Sequence, residues 1–219
     1  LQHSAKHKIA SNYGKSYYPS DYSPNAGWAD YYGNEDFFKA YPNDDRKEWN
    51  YMTEWKIKSG EIIPYTESAD KLPAISKYYD YDEGAPGKSA QSNGITCIYR
   101  YAEVLLMYAE ASTRATNSVN QDALNAIQEV QKRAGYQDRQ IELTTTTEPT
   151  AFLAAVSNER GWEFFAEMKR WFELVRLEKV KEVRAEEWDA STFNTNHHYY
   201  FPVPYQQVDL AGWTNNAGY

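Results

Sequence analysis

From Ile98 onward, apolar and small residues recur at Ile98, Tyr101, Ala102, Leu105, Tyr108, Ala109 and Ser112. Steps of three and four residues draw one stripe along an α-helix, and Arg100, Glu103, Glu110 and Arg114 fall mostly off it. The pattern predicts a helix over 98–114 with Leu105 and Tyr108 turned into the core. After a short polar link, Asn120 stands as an N-cap. Ala123, Leu124, Ile127, Val130 and Ala134 form a second stripe, and Gly135 supplies the residue that ends it. Two amphipathic helices joined by a short turn make an αα-hairpin, and Ala102 and Ala109 allow close approach. Glu148-Pro149 after a threonine run predicts a third helix, since proline is tolerated in the first turn. It should run to Phe164, with a turn near Glu167 and a short helix from Arg170 to Leu177. Beyond Asn194, Pro202 and Pro204 predict an extended tail.

Residues 1–95 carry no sustained helical period. Glycines and prolines punctuate them, from Gly14 and Pro19 to Pro86, Gly87 and Gly94. Loops, short helices and a little strand are expected. Trp49 to Ile63 reads as a β-hairpin around Ser59-Gly60, with Trp49, Tyr51 and Trp55 sharing one face. One-sided aromatic faces are more often core than ligand site, so these three are expected inside.

Composition adds a functional hint. Apolar residues make up 42% of the 219, yet mean hydropathy is −0.81, because 20 Tyr, 7 Trp and 8 Phe carry much of the apolar content. Tyr and Trp pair a flat apolar body with a polar tip, which suits half-exposed surfaces. The net charge of −8, without a Lys/Arg run, argues against nucleic acid and anionic lipid surfaces. It is neutral towards sugars. The single cysteine, Cys97, excludes an internal disulfide and a cysteine-based zinc site, and reads as a buried small hydrophobe. His197 and His198 are neighbours in sequence and do not converge on one metal; neither a metal nor a cofactor is expected.

Five segments carry a family resemblance. IYRYAEVLLMYAEA, from Ile98 to Ala111, closely resembles the most recognisable motif of the SusD/RagB family. NERGWEFFAEMKRWFELVR, from Asn158 to Arg176, is similar to its ER…E…E..R..DL.R block, with Glu173 in place of a frequent Asp and Met168 in place of a frequent Gly. Tyr200-Phe201-Pro202-Val203-Pro204 resembles the family's Y-x-F-P-[IV]-P, and Asn216-Ala217-Gly218-Tyr219 its terminal N-P-G-Y. Asp45-Arg46 stands where the family carries D-x-R before a strand. The resemblance implies a mainly α fold with a tetratricopeptide-like helix pair, a large loop-rich aromatic region and minor β. It divides the chain into 1–97, a loop-rich ligand-binding region, and 98–219, a C-terminal helical region, within one structural unit. It also implies cell-surface binding of oligo- or polysaccharides, outside the outer membrane, for uptake through a SusC-like TonB-dependent transporter. Family members are much longer and lipid-anchored at an N-terminal cysteine. Cys97 is internal, so the anchor and the N-terminal repeats are expected to be missing here.

The sharpest site candidates lie between Tyr13 and Tyr32, where Tyr13, Tyr17, Tyr18, Tyr22, Trp28, Tyr31 and Tyr32 interleave with Asn25 and Asp30. Sugar rings expose apolar C–H faces and hydroxyls, which aromatic platforms flanked by Asn or Asp match. Tyr22, Asn25, Trp28, Asp30, Tyr31 and Tyr32 are therefore the expected ligand-binding set, with Trp28 on an exposed turn after Pro24 and Gly27. The bland reading packs these rings into a loop-rich core.

Glu159, Glu163 and Glu167 recur at i, i+4 and i+8. Glycoside hydrolysis needs carboxyls facing each other across a cleft about 5–10 Å wide. Carboxylates on one helix point the same way and call for neighbouring arginines; with Arg160, Lys169 and Arg170 close by, a structural ion network partly buried between helices is expected and no catalytic residue. Two other classes remain in play: a helical-repeat scaffold or peptide-uptake partner without a sugar site, and, less favoured, a glycoside hydrolase.

Overall fold

The computed structural model describes residues 16–23, 26–78, 97–183 and 195–219. Its contacts divide the chain into two units, 1–167 and 168–219. This division differs from the change of sequence character at 97/98, which marks where sustained helical periodicity begins.

In the first unit, α1 spans Glu35–Ala40 and α2 Asp45–Asn50. The strands are β1 (Tyr51–Met52), β2 (Glu54–Lys56), β3 (Ile62–Pro64) and β4 (Ala74–Ile75). Three long helices follow: α3 (Tyr101–Thr116), α4 (Gln121–Arg133) and α5 (Pro149–Glu163). β1 pairs antiparallel with β4, and β2 with β3. The β2–β3 hairpin matches the expected turn: Gly60, at φ +92°, takes a left-handed conformation that glycine adopts without a Cβ clash. Trp49, however, lies in α2 and is 65% exposed, while Tyr51 and Trp55 are buried. The expected shared strand face of the three fails because Asp44, whose carboxylate accepts from the Arg46 amide at 2.9 Å, caps a helix just before the strand begins.

α3 and α4 form the expected αα-hairpin, and Asn120 caps α4 through a 2.8 Å bond from the Ala123 amide. Leu106, Ala109, Ala123, Ile127, Val130, Phe152, Val156 and Phe164 form the core between α3, α4 and α5. α4 buries the predicted stripe. α3 buries only part of its predicted stripe. Ala109 is in the core and Ala102 and Leu105 pack against it, but the fully buried face runs through Glu103, Leu106, Ala109 and Thr113 and leaves Tyr101 and Tyr108 exposed. Val104 to Tyr108 is an unbroken apolar run, so periodicity alone cannot orient this helix. The small Ala109 and Thr113, which let helices approach, select the inner face. Cys97 is likewise exposed rather than buried, lying in the non-helical approach to α3.

The second unit contains α6 (Arg170–Arg176), α7 (Val180–Val183), α8 (Thr195–His198) and α9 (Tyr205–Ala211). The tail is therefore not wholly extended. Pro204 sits at the N-cap of α9, where a missing N–H costs nothing, so the helix starts directly after it. The two terminal motifs bind each other: Asn216 Nδ2 donates to the Phe201 carbonyl at 2.6 Å, and the Val203 amide to Asn215 Oδ1 at 2.8 Å. Among the described residues no helix is long and apolar enough to cross a membrane.

Candidate functional site

Residues 26–31 are strapped to residues 16–19 through their backbones. The Gly27 amide donates to the Pro19 carbonyl at 2.8 Å, the Ala29 amide to Tyr18 at 3.1 Å and the Asp30 amide to Ser16 at 2.9 Å. Ala29 is left-handed at φ +55°. Gly27 passes so close to the neighbouring strand of chain that an added Cβ would lie 1.8 Å from the Tyr18 carbonyl oxygen. Gly27→Ala must break this strap, and we expect a loss of about 1–3 kcal/mol of unfolding free energy, measured by chemical denaturation.

The strap sorts the aromatic cluster into two layers. Tyr17 and Tyr18 are buried. Tyr17 packs on Tyr78 and Tyr31 with centroids 5.4 Å away in each case, and Tyr18 stacks on Tyr22 at 5.3 Å. Trp28 and Tyr31 face outward, 49% and 54% exposed, beside the exposed Asp30. Tyr32 is half-buried. Its hydroxyl donates to the Asp70 carboxylate, which also accepts from Ser20 Oγ at 3.0 Å, and burial together with that carboxylate holds the phenol strongly un-ionised. Asn25 and Tyr13 lie outside the described residues. Of the expected set, Trp28, Asp30 and Tyr31 thus share an exposed loop, Tyr22 is a half-buried wall, and Tyr32 is an anchor.

Asp21 was not among the expected residues, yet it ties the segment to the hairpin. It accepts from Trp55 Nε1 at 2.7 Å and from the Ala69 amide at 3.1 Å. These partners are far apart in sequence, so no local pattern announces them. A groove of about 370 Å³ opens here, lined by Asp21, Tyr22, Ala26, Lys58 and Glu67 among others. A second, of about 350 Å³, is lined by Tyr22, Glu48, Thr53, Glu54, Lys56 and Ser76 among others. Tyr22 is a wall of both.

The carboxylates of α5 lie elsewhere and are engaged. Arg46 Nη1 donates to Glu159 and to Glu163 at 2.7 Å each, and Nη2 to Asp44 at 2.6 Å. Arg100 and Arg133 also reach Glu163, while Lys77 and Arg100 hold Glu167 at 2.6 and 2.8 Å. Burial pushes the Glu159 carboxyl up against the pull of Arg46. Burial also acts on Glu163, but Arg100, Arg46 and Arg133 outweigh it and hold that carboxyl down. Both side chains are fully buried, so they do not face a solvent-filled cleft as a hydrolytic pair would. This is a structural ion network, as the spacing predicts, but its cations Arg46, Lys77, Arg100 and Arg133 come from distant parts of the chain, while the neighbouring Arg160 and Arg170 pair with Glu103 and Glu173.

The sequence matches the SusD family over residues 10–219. The chain belongs to the SusD family. A curated relative, SusD-like protein P2 of Formosa agariphila, is 28% identical over 200 residues, which is 83% of this chain and 39% of that protein. Among solved structures, a SusD superfamily protein from Parabacteroides distasonis superposes with a TM-score of 0.76 at 22% identity, covering 96% of this chain and 47% of the other. Surface glycan-binding protein A from Bacteroides uniformis does so with a TM-score of 0.67 at 22% identity, covering 94% and 47%. This SusD-family chain therefore spans less than half the length of these relatives. The mainly helical fold with its tetratricopeptide-like pair agrees with theirs; of the motif Asp45-Arg46, Arg46 enters the buried ion network, where its aspartate partner is Asp44, while Asp45 pairs with Arg139.

Proposed function

We propose that this chain carries the glycan-recognition surface of a cell-surface binding protein that takes up oligo- or polysaccharides without cleaving them. The observation that carries the reading is the pair Trp28 and Tyr31, two large aromatic rings held outward on a backbone-strapped loop beside Asp30. Flat apolar rings stack on the C–H faces of sugars, and adjacent carboxylates and amides accept their hydroxyls. Family membership and the likeness to a surface glycan-binding protein support it. In this reading the whole protein is lipid-anchored outside the outer membrane and passes its cargo to a SusC-like TonB-dependent transporter.

A scaffold without a sugar site is favoured by one observation, the exposed apolar side of α3 with Tyr101, Val104 and Tyr108. It leaves the outward Trp28 and Tyr31 without a role. The test is a glycan array probed with the full chain, paired with an assay for new reducing ends. Binding with no release of reducing ends supports the proposal. Release of reducing ends would make the protein a hydrolase, and an array with no positive glycan would return the scaffold reading.

A further inference from the structure

The loop that presents Trp28 and Tyr31 is closed at both ends by one carboxylate. Ser20 precedes the loop and Tyr32 follows it. Both hydroxyls donate to the same atom, Asp70 Oδ2, that of Ser20 at 3.0 Å. Asp70 stands 38 residues beyond Tyr32, so the closure is a tertiary one.

That carboxylate is well braced. It follows a 3₁₀ turn, Tyr65–Glu67, which the buried Ser68 locks. Ser68 Oγ donates to the Tyr65 carbonyl at 2.7 Å and accepts from the Lys71 amide at 3.1 Å. The next residue, Ala69, donates its amide to Asp21, which also accepts from Trp55 Nε1, so the same segment is fastened to β2. The backbone strap is of another kind. Its bonds run from the amides of residues 27–31 to the carbonyls of residues 16–19. They set the course of the chain and fix no side chain. The two hydroxyl bonds to Asp70 do fix side chains, and a carboxylate acceptor makes them stronger than bonds between neutral groups. One of them holds the ring that directly follows Tyr31.

We infer that Asp70 is a positioning residue of the glycan site, which closes the loop at both ends and so holds Trp28 and Tyr31 in the arrangement that binds. The inference rests on the glycan reading of those two rings and adds the group that preorganises them. Tyr32, a member of the expected ligand-binding set, then acts from behind the site, through Asp70. A loop that is ordered before binding gains affinity without any new contact. When only a fraction of the molecules has the loop in its binding form, apparent affinity falls by that fraction. The loss then appears in the association rate, whereas loss of a contact to the sugar appears in the dissociation rate.

The test is biolayer interferometry of the full chain over surfaces bearing laminarin, amylopectin or xylan, at a temperature where every variant is folded. On the surface that the wild type binds, Asp70→Ala should slow association about fivefold and leave dissociation unchanged. Tyr32→Phe should reproduce part of that slowing. Asp70→Asn, which keeps an acceptor oxygen, should recover most of the wild-type rate. Association at the wild-type rate in Asp70→Ala overturns the inference and leaves the glycan reading standing. Faster dissociation with unchanged association also overturns it, because Asp70 is then a contact of the sugar itself. A wild type that binds none of the three surfaces overturns the glycan reading together with this one.

Discussion

Replacing Arg46 with alanine lowers the unfolding free energy by about 3–5 kcal/mol, the cost of leaving buried charges without their partner. The guanidinium lies among Asp44, Glu159 and Glu163, whose side chains are all fully buried. Each of these carboxylates gave up its hydration on folding, and the guanidinium offsets that loss for three of them at once. Glu163 keeps Arg100 and Arg133 in the variant. Glu159 keeps only neutral donors among its described hydrogen bonds, Gln131 Nε2 at 3.3 Å and the Tyr136 hydroxyl at 3.1 Å. Its carboxyl, already pushed up by burial, rises further. A carboxyl whose folded pKa exceeds its unfolded value costs stability when ionised and ceases to cost it as pH falls through the folded pKa. The deficit of Arg46→Ala relative to wild type should therefore be larger at about pH 8 than at about pH 5. Denaturant titrations at the two pH values check both size and sign. A deficit below about 1 kcal/mol, or one that grows on acidification, contradicts the network account.

The second large effect falls on binding. Trp28→Ala combined with Tyr31→Ala removes both outward rings of the strapped loop while leaving the buried Tyr17 and Tyr18 beneath. Aromatic stacking contributes about 0.5–1.5 kcal/mol per pair beyond the apolar area it covers. One such ring corresponds to about tenfold in Kd, and the pair to about a hundredfold if their contributions add. Both side chains are half-exposed, but the Tyr31 ring packs on the buried Tyr17, so the double variant should melt somewhat below wild type, and binding is compared at a temperature where thermal unfolding shows both proteins folded. Asp30→Asn, keeping size and hydrogen-bonding capacity, should change affinity far less than either ring deletion.

How far the sequence disclosed this account depends on the element. α4 was legible because its apolar residues are strictly confined to one face and its cap, Asn120, is a strong signal. α3 was legible as a helix but only partly in its orientation, with Ala102, Leu105 and Ala109 on the core side as expected and Tyr101 and Tyr108 not, since five successive apolar residues satisfy several stripes equally. α9 leaves no sequence signal because Pro202 and Pro204 argue against helix in general, whereas a proline at the cap excludes only the turn before it. The odd-numbered aromatics at 49, 51 and 55 mimic a strand face, while the signal that places Trp49 in α2 lies in the cap Asp44. The ion network followed from the i, i+4 and i+8 glutamates, although Asp44 and Lys77, which complete it, sit far away in sequence. In the aromatic cluster, composition located the segment and Gly27 suggested the turn. Which rings face outward was set by non-local bonds, such as that from Tyr32 to Asp70, 38 residues on, and these leave no local mark.

The central claim, that the strapped aromatic loop binds glycan, is tested most directly by affinity electrophoresis of the full chain through gels containing laminarin, amylopectin or xylan. The account predicts that at least one polysaccharide retards the wild type, and that the Trp28→Ala, Tyr31→Ala double variant migrates in that gel as it does in a gel without polysaccharide. Equal retardation of wild type and double variant would contradict it.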